Sequence, residues 1–122
     1  MRLIFLWKHI LRTNKLQLSP PYPVEKSVKR LGESLRIARI RRNMTIADAA
    51  ERIGTGPRAV MDAEKGKAST GIVVYAALLW LYDLLYQLED VADPSMDEEG
   101  VSLAMAKERV RARKSRGLDS DF

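Results

Sequence analysis

Along residues 27–114 the apolar positions recur at helical spacing, in short stretches separated by turn residues. Val28, Leu31, Leu35 and Ala38 fall three and four apart, with most of the surrounding arginines elsewhere on the wheel. This predicts a helix from Ser27 to Arg42 that stops at Asn43. Ile46, Ala49, Ala50 and Ile53 repeat the pattern over a shorter stretch, introduced by Thr45 as cap with Asp48 three residues on, and closed by Gly54. In "IGTGPRAVMDAEKG" (53–66) the chain then bends. Pro57 suits the first turn of a third helix, where a missing amide hydrogen costs nothing; Val60 and Ala63 give that helix its apolar edge, and Gly66 ends it.

Ser69 or Thr70 can cap a fourth helix containing Val73, Val74, Ala77, Leu78 and Leu81, apolar on nearly every side. A fifth, "DLLYQLEDVAD", ends at Pro94. After the acidic loop "DPSMDEEG", residues 101–114 predict a further helix, and the tail "SRGLDSDF" is expected to be mobile. The β-branched "GIVVY" continues as "AALLWL", which favours helix over strand, and no internal repeat is present. The expected fold is all-α: a bundle of five helices with a C-terminal helix as an optional sixth.

Upstream, "LSPPYPVEKS" (18–27) has three prolines in four positions and reads as an extended linker. The expected organisation is an N-terminal arm and linker over 1–25, a helical domain over 26–93, and an acidic loop, helical segment and basic tail over 94–122. The opening "MRLIFLWKHILR" lacks a small-residue cleavage site and is interrupted by Lys8, so it makes a poor signal peptide; an amphipathic or disordered arm, or an extension upstream of the natural start, is expected instead. Residues 71–82 carry no charge, but that run is shorter than the roughly 20 residues a bilayer requires, and Asp83 interrupts it. A buried helix accounts for it better than a membrane span.

Charge changes the picture more than composition does. The net charge of the 122 residues is +5, unevenly distributed. Lys26, Lys29, Arg30, Arg36, Arg39, Arg41 and Arg42 face Glu33 alone, whereas Asp83, Glu89, Asp90, Asp93, Asp97, Glu98 and Glu99 have no base among them, and the block from Lys107 to Arg116 is basic again. Such a chain accepts an anionic partner. With no cysteine there is neither a disulfide framework nor a thiolate metal site, and the lone His9 is an ordinary surface residue in expectation. "GKA" at 66–68 lacks the Ser/Thr of a phosphate-binding loop, and Met61 occupies the place of its earlier glycine. No enzyme, cofactor or metal is expected.

A short helix, a glycine turn and a second short helix are the parts of a DNA-binding helix-turn-helix, although many helical hairpins also contain glycine. Arg39 lies four residues after Leu35, on the edge of the apolar face, and Glu64 lies four after Val60, again on a core edge. Opposite charges facing one core need each other, which predicts an ion pair; the alternative is two separately solvated side chains. Arg58 is the strong candidate for a bidentate bond to guanine, its alternative being a solvated surface arginine. Arg41, Arg42, Lys65 and Lys67 are candidates for holding phosphates.

The segment "LGESLRIARIRRNMTIADAAERIGTGPRAVMDAEKGKAST", with Glu64, Lys65 and Gly66, resembles the Xre/Cro-type helix-turn-helix domain of phage repressors and bacterial antitoxins. Its continuation "VVYAALLWLYDLLYQLEDVADPSMDEEG" resembles the Xre-type regulators found beside HipA-like kinases, the HipB-type antitoxins. The resemblance spans residues 28 to 100 and implies a lambda-repressor-like five-helix bundle. It implies that Thr45, Ile46, Thr55 and Gly56 contact phosphates and that Pro57, Arg58, Met61 and Asp62 face the groove. Ile46 stands where a phosphate-binding glutamine is usual, and core is its alternative reading; Pro57 lacks a side-chain donor, and Asp62 repels phosphate unless it accepts from a cytosine amine.

The expected function is sequence-specific DNA binding by a cytoplasmic transcriptional regulator, an antitoxin-type autorepressor of a toxin–antitoxin operon. The alternative is a protein-binding adaptor or antitoxin without specific DNA binding. Expected partners are a double-stranded operator, a second copy of the chain, and a HipA-like kinase. The apolar surplus around Val73 to Leu88, with Trp80, Tyr82 and Tyr86, is either a dimer face or monomer core. The acidic 89–99 segment or the tail is the expected kinase-docking site.

Overall fold

The computed structural model describes residues 15–120, with side chains to 117; the arm over 1–14, with His9, lies outside them. Every regular element among the described residues is helical. After helical residues 15–18 come α1 (Tyr22–Arg41), α2 (Ile46–Ile53), α3 (Pro57–Glu64), α4 (Ile72–Leu81), α5 (Tyr86–Glu89), a 3-10 turn (Pro94–Met96) and α6 (Glu98–Ser120). The chain divides into two compact units between Leu85 and Tyr86, not at the expected 93/94 boundary.

The proline-rich stretch is not an extended linker. Helix breaks only at Ser19 to Pro21; Pro21 (φ −53°, ψ 141°) forms the cap, and Pro23 sits in the first turn, where it removes no helical hydrogen bond. α1 therefore starts at Tyr22 and crosses the expected 25/26 boundary.

α1 to α4 all end the same way. Asn43 (φ 55°), Gly54 (φ 82°), Gly66 (φ 66°) and Asp83 (φ 58°) are left-handed, and the next amide in each case returns to the helix: Met44 N–H to the Arg39 carbonyl, Thr55 to Ala50, Lys67 to Asp62, Leu84 to Leu79. Asp83 thus terminates α4 and does not open a helix, so the expected "DLLYQLEDVAD" helix shrinks to Tyr86–Glu89. Neither Ser69 nor Thr70 caps α4; Gly71 occupies that position.

The core of the first unit lies where α1 to α4 meet. Leu35 and Ala38 of α1, Ala49 and Ala50 of α2, Val60 and Ala63 of α3, Tyr75, Leu78 and Leu79 of α4, and Tyr82 just beyond it are all buried. Alanine at both central positions of α2 lets α3 and α4 approach it closely. Tyr82 is core, whereas Ile72, Val73 and Trp80 are exposed, so α4 is not buried on nearly every side. No helix among the described residues is long and apolar enough to cross a membrane.

In the second unit the Asp93 carboxylate caps the 3-10 turn, accepting from Ser95 N–H and Oγ, both at 2.9 Å. Asp97 then accepts from Gly100 N–H at 3.1 Å, which starts α6 earlier than expected. α6 runs to Ser120, so residues 115–120 extend a helix and are not a loose tail. No residue of α6 from Glu98 to Gly117 is buried.

Candidate functional site

The first unit presents a rigid pair of short helices with one outward face. Local sequence sets the pair. The Thr45 hydroxyl accepts from Asp48 N–H, and the Asp48 carboxylate accepts from Thr45 N–H, each at 3.0 Å, a reciprocal capping box that starts α2. These bonds hold the Asp48 carboxyl below the usual carboxylate range, the Thr45 amide first and its hydroxyl second. Gly54 turns the chain, Gly56 (φ −79°, ψ 157°) enters α3 in extended conformation, and Pro57 provides the first helical position.

The far end of α3 is fixed to α1. Arg39 Nε donates to Glu64 Oε2 at 2.7 Å and Nη2 to Oε1 at 3.0 Å, a two-pronged ion pair with little solvent on either side chain. The third nitrogen, Nη1, donates to the Met44 carbonyl at 2.8 Å and so ties in the α1–α2 turn. The Glu64 bond holds the Arg39 guanidinium above its ordinary pKa against the opposing effect of burial. Beside this pair α3 touches backbone with no side chain between. A Cβ on Gly32 would lie 2.5 Å from the Ala63 carbonyl oxygen, and one on Gly66 2.5 Å from Lys29 Cα. Gly32 is a helix-interior glycine that apolar periodicity does not mark; its only sequence signal is a helix-disfavouring residue inside a strong helical pattern.

α3 turns Val60, Ala63 and Glu64 inward, which leaves Pro57, Arg58, Met61 and Lys65 exposed along its outer side. Arg58, Lys65 and Arg41, the last residue of α1, have no hydrogen-bond or ion-pair partner among the described residues. Two other expected contact residues are committed to each other: Lys67 Nζ lies 3.8 Å from Asp62 Oδ2, and Asp62 is half-buried. Arg42 is exposed, and its guanidinium also makes internal bonds. Nη1 donates to the Ala38 carbonyl and Nη2 to the Tyr82 carbonyl, both at 2.9 Å, with the Tyr82 ring centre 5.4 Å away. It joins the end of α1 to the end of α4.

At the start of α2, Thr45 is exposed with its amide engaged in the capping box, and Thr55 is half-buried with its amide bonded to the Ala50 carbonyl at 2.9 Å. Gly56 is exposed. Ile46 is half-buried and lines an open cavity of about 450 Å³ with Met61, Lys29, Lys65 and the ion pairs Arg36–Glu33 and Arg39–Glu64. It is not sealed core. This surface supplies exposed, unpaired cations at Arg58 and Lys65 along one side of α3. No protein-family model, curated protein or solved structure matches the chain.

Proposed function

We propose that residues 46–64 form a helix-turn-helix of the Xre/Cro type within a lambda-repressor-like bundle, and that the protein is a sequence-specific DNA-binding transcriptional regulator. The observation that carries this reading is the unpartnered Arg58 on the exposed side of a helix whose other end is clamped by Arg39 and Glu64. A guanidinium held on a rigid helix can meet the paired acceptors of guanine in the major groove. Arg41 and Lys65 then bear on phosphates, which position the helix without specifying sequence.

The antitoxin role, autorepression of a toxin–antitoxin operon with a HipA-like kinase as protein partner, rests on the resemblance of residues 28–100 to HipB-type regulators. A cytoplasmic location goes with that role. A second copy of the chain fits the exposed Ile72, Val73 and Trp80 of α4, because one short recognition helix reads few base pairs and two-fold operators engage two. Light scattering should report a dimer that Trp80→Glu converts to monomer.

A second reading, a protein-binding adaptor without specific DNA binding, is favoured by one observation. Of the four residues expected to face the groove, Pro57 and Met61 carry no hydrogen-bond donor and Asp62 is paired with Lys67. Selection of duplexes from a random-sequence library by the full chain separates the two readings. A regulator enriches a two-fold-symmetric site and loses affinity steeply as salt rises, whereas an adaptor enriches nothing.

A further inference from the structure

The chemistry of α6 belongs to neither the core nor the α3 surface. Its basic residues fall into two sets at identical spacing: Lys107, Arg111 and Lys114, and Arg109, Arg113 and Arg116. Spacings of four and three hold each set to one stripe, and an offset of two residues at ~100° per residue puts the stripes on opposite sides of the helix. All six side chains are exposed, and none forms an ion pair within the described residues. Like charges one turn apart repel, as between Lys107 and Arg111 or Arg109 and Arg113, so the free helix carries a repulsion that a polyanion would remove.

The strips between the stripes differ. One holds Glu108 with Met105 and Ala112; the other holds Leu103, Ala106 and Val110, with no acid alongside the cations and Glu99 two turns before Ala106. We propose that α6 is a second duplex-binding element, lying in the DNA major groove with one basic stripe toward each phosphate wall and the Ala106–Val110 strip toward the base edges. The dimensions match: a helix ~10–12 Å across enters a groove ~12 Å wide. Ala106 and Val110 offer no hydrogen bonds to bases, so this element holds duplex without regard to sequence. The deep, narrow major groove of duplex RNA would exclude it. An apolar face of Leu103, Ala106 and Val110, with Glu99 on the same line to repel anionic headgroups, is too slight to make a membrane surface the better partner.

This inference deepens the DNA-binding reading, and its test is separable from that of Arg58. The full chain is titrated with a random-sequence DNA duplex over a range of salt concentrations, alongside a variant with all six residues replaced (Lys107→Gln, Arg109→Gln, Arg111→Gln, Arg113→Gln, Lys114→Gln, Arg116→Gln). Circular dichroism checks that the helix survives, as glutamine permits. The slope of log affinity against log salt should fall in magnitude by about 5, at ~0.9 per phosphate contact, and each three-residue stripe variant should account for about half. An unchanged slope, an effect confined to one stripe, equal binding of duplex RNA, or a loss seen on phosphatidylglycerol vesicles with duplex binding intact would each overturn it. If Arg58→Ala leaves sequence preference untouched while the six glutamines reduce the slope, base reading by α3 fails and this inference stands; the reverse pattern removes this inference alone.

Discussion

Gly32→Ala separates helix propensity from tertiary packing, because the two predict opposite signs. In an isolated helix the change is stabilising by about 1 kcal/mol, since alanine loses less backbone freedom than glycine. In this fold the new methyl would lie 2.5 Å from the Ala63 carbonyl oxygen, 2.7 Å from that of Glu64 and 2.9 Å from the Glu64 carbonyl carbon. All three are backbone atoms, so no side-chain rotation relieves the contact. The shortest is about 0.9 Å below ordinary 3.4 Å contact. α1 and α3 must separate by a comparable distance, which also pulls on the 2.7 Å bond between Arg39 and Glu64. Forced overpacking costs about 3 kcal/mol at the upper end of its usual range. Set against the propensity gain, the net loss is about 2 kcal/mol, a fall in melting temperature of roughly 8–16 °C for a unit of this size. Thermal and urea unfolding read it directly. Gly56→Ala is the control for added bulk, since a Cβ there meets nothing within 4 Å; as alanine is a poorer N-cap than glycine, it should cost no more than about 1 kcal/mol. A Gly32→Ala protein as stable as the parent, or more so, would refute the close approach of the two helices.

Three further outcomes follow from the same contacts. Arg39→Met leaves the Glu64 carboxylate, only 6 % exposed, without its partner and should cost about 3 kcal/mol in urea unfolding; an unchanged midpoint would show that the pair is energetically idle. Asp48→Ala should destabilise the protein at neutral pH. The folded Asp48 carboxyl titrates below its unfolded value, so its contribution is present above the ordinary carboxylate range and lost as pH falls through the depressed value; the gap between parent and variant should close on acidification, and a pH-independent gap would contradict the capping box. Gly54→Ala places a methyl-bearing residue at φ 82° and should lower stability by about 1 kcal/mol, read from the same unfolding curves.

Some features were legible in the sequence because local chemistry decides them. The capping pair Thr45 and Asp48, the Gly54 turn, Pro57 at the head of α3 and the stops at Asn43 and Gly66 all act within a few residues of chain. The meeting of Arg39 and Glu64 was also legible, since both sit on the edge of an apolar stripe and neither charge can be buried alone. What stayed hidden depends on distant partners or on conformations that residue type only weakly favours. Pro21 and Pro23 resembled a linker because a proline-rich run reads as extended, yet the same residues are compatible with a helix start. Asp83 resembled a helix opener, but it adopts the left-handed conformation that more often marks glycine. The roles of Gly32 against α3 and of Arg42 against Tyr82 arise only once the helices are packed, because their partners lie about 30 to 40 residues away. Exposure was the hardest quantity to read on α4, where Val73, Trp80 and Tyr82 look equally apolar and only Tyr82 is buried.

The central claim is that Arg58 reads sequence from a helix fixed by Arg39 and Glu64. The most direct measurement is the ratio of affinities for a library-selected duplex and a random one, for the parent and for Arg58→Ala, at one fixed salt concentration. Loss of a bidentate contact to guanine should reduce that ratio by about 1–3 kcal/mol and relax preference at a single position in each half-site. A variant that binds both duplexes more weakly by the same factor, with the ratio intact, would contradict the account and leave Arg58 as a phosphate contact.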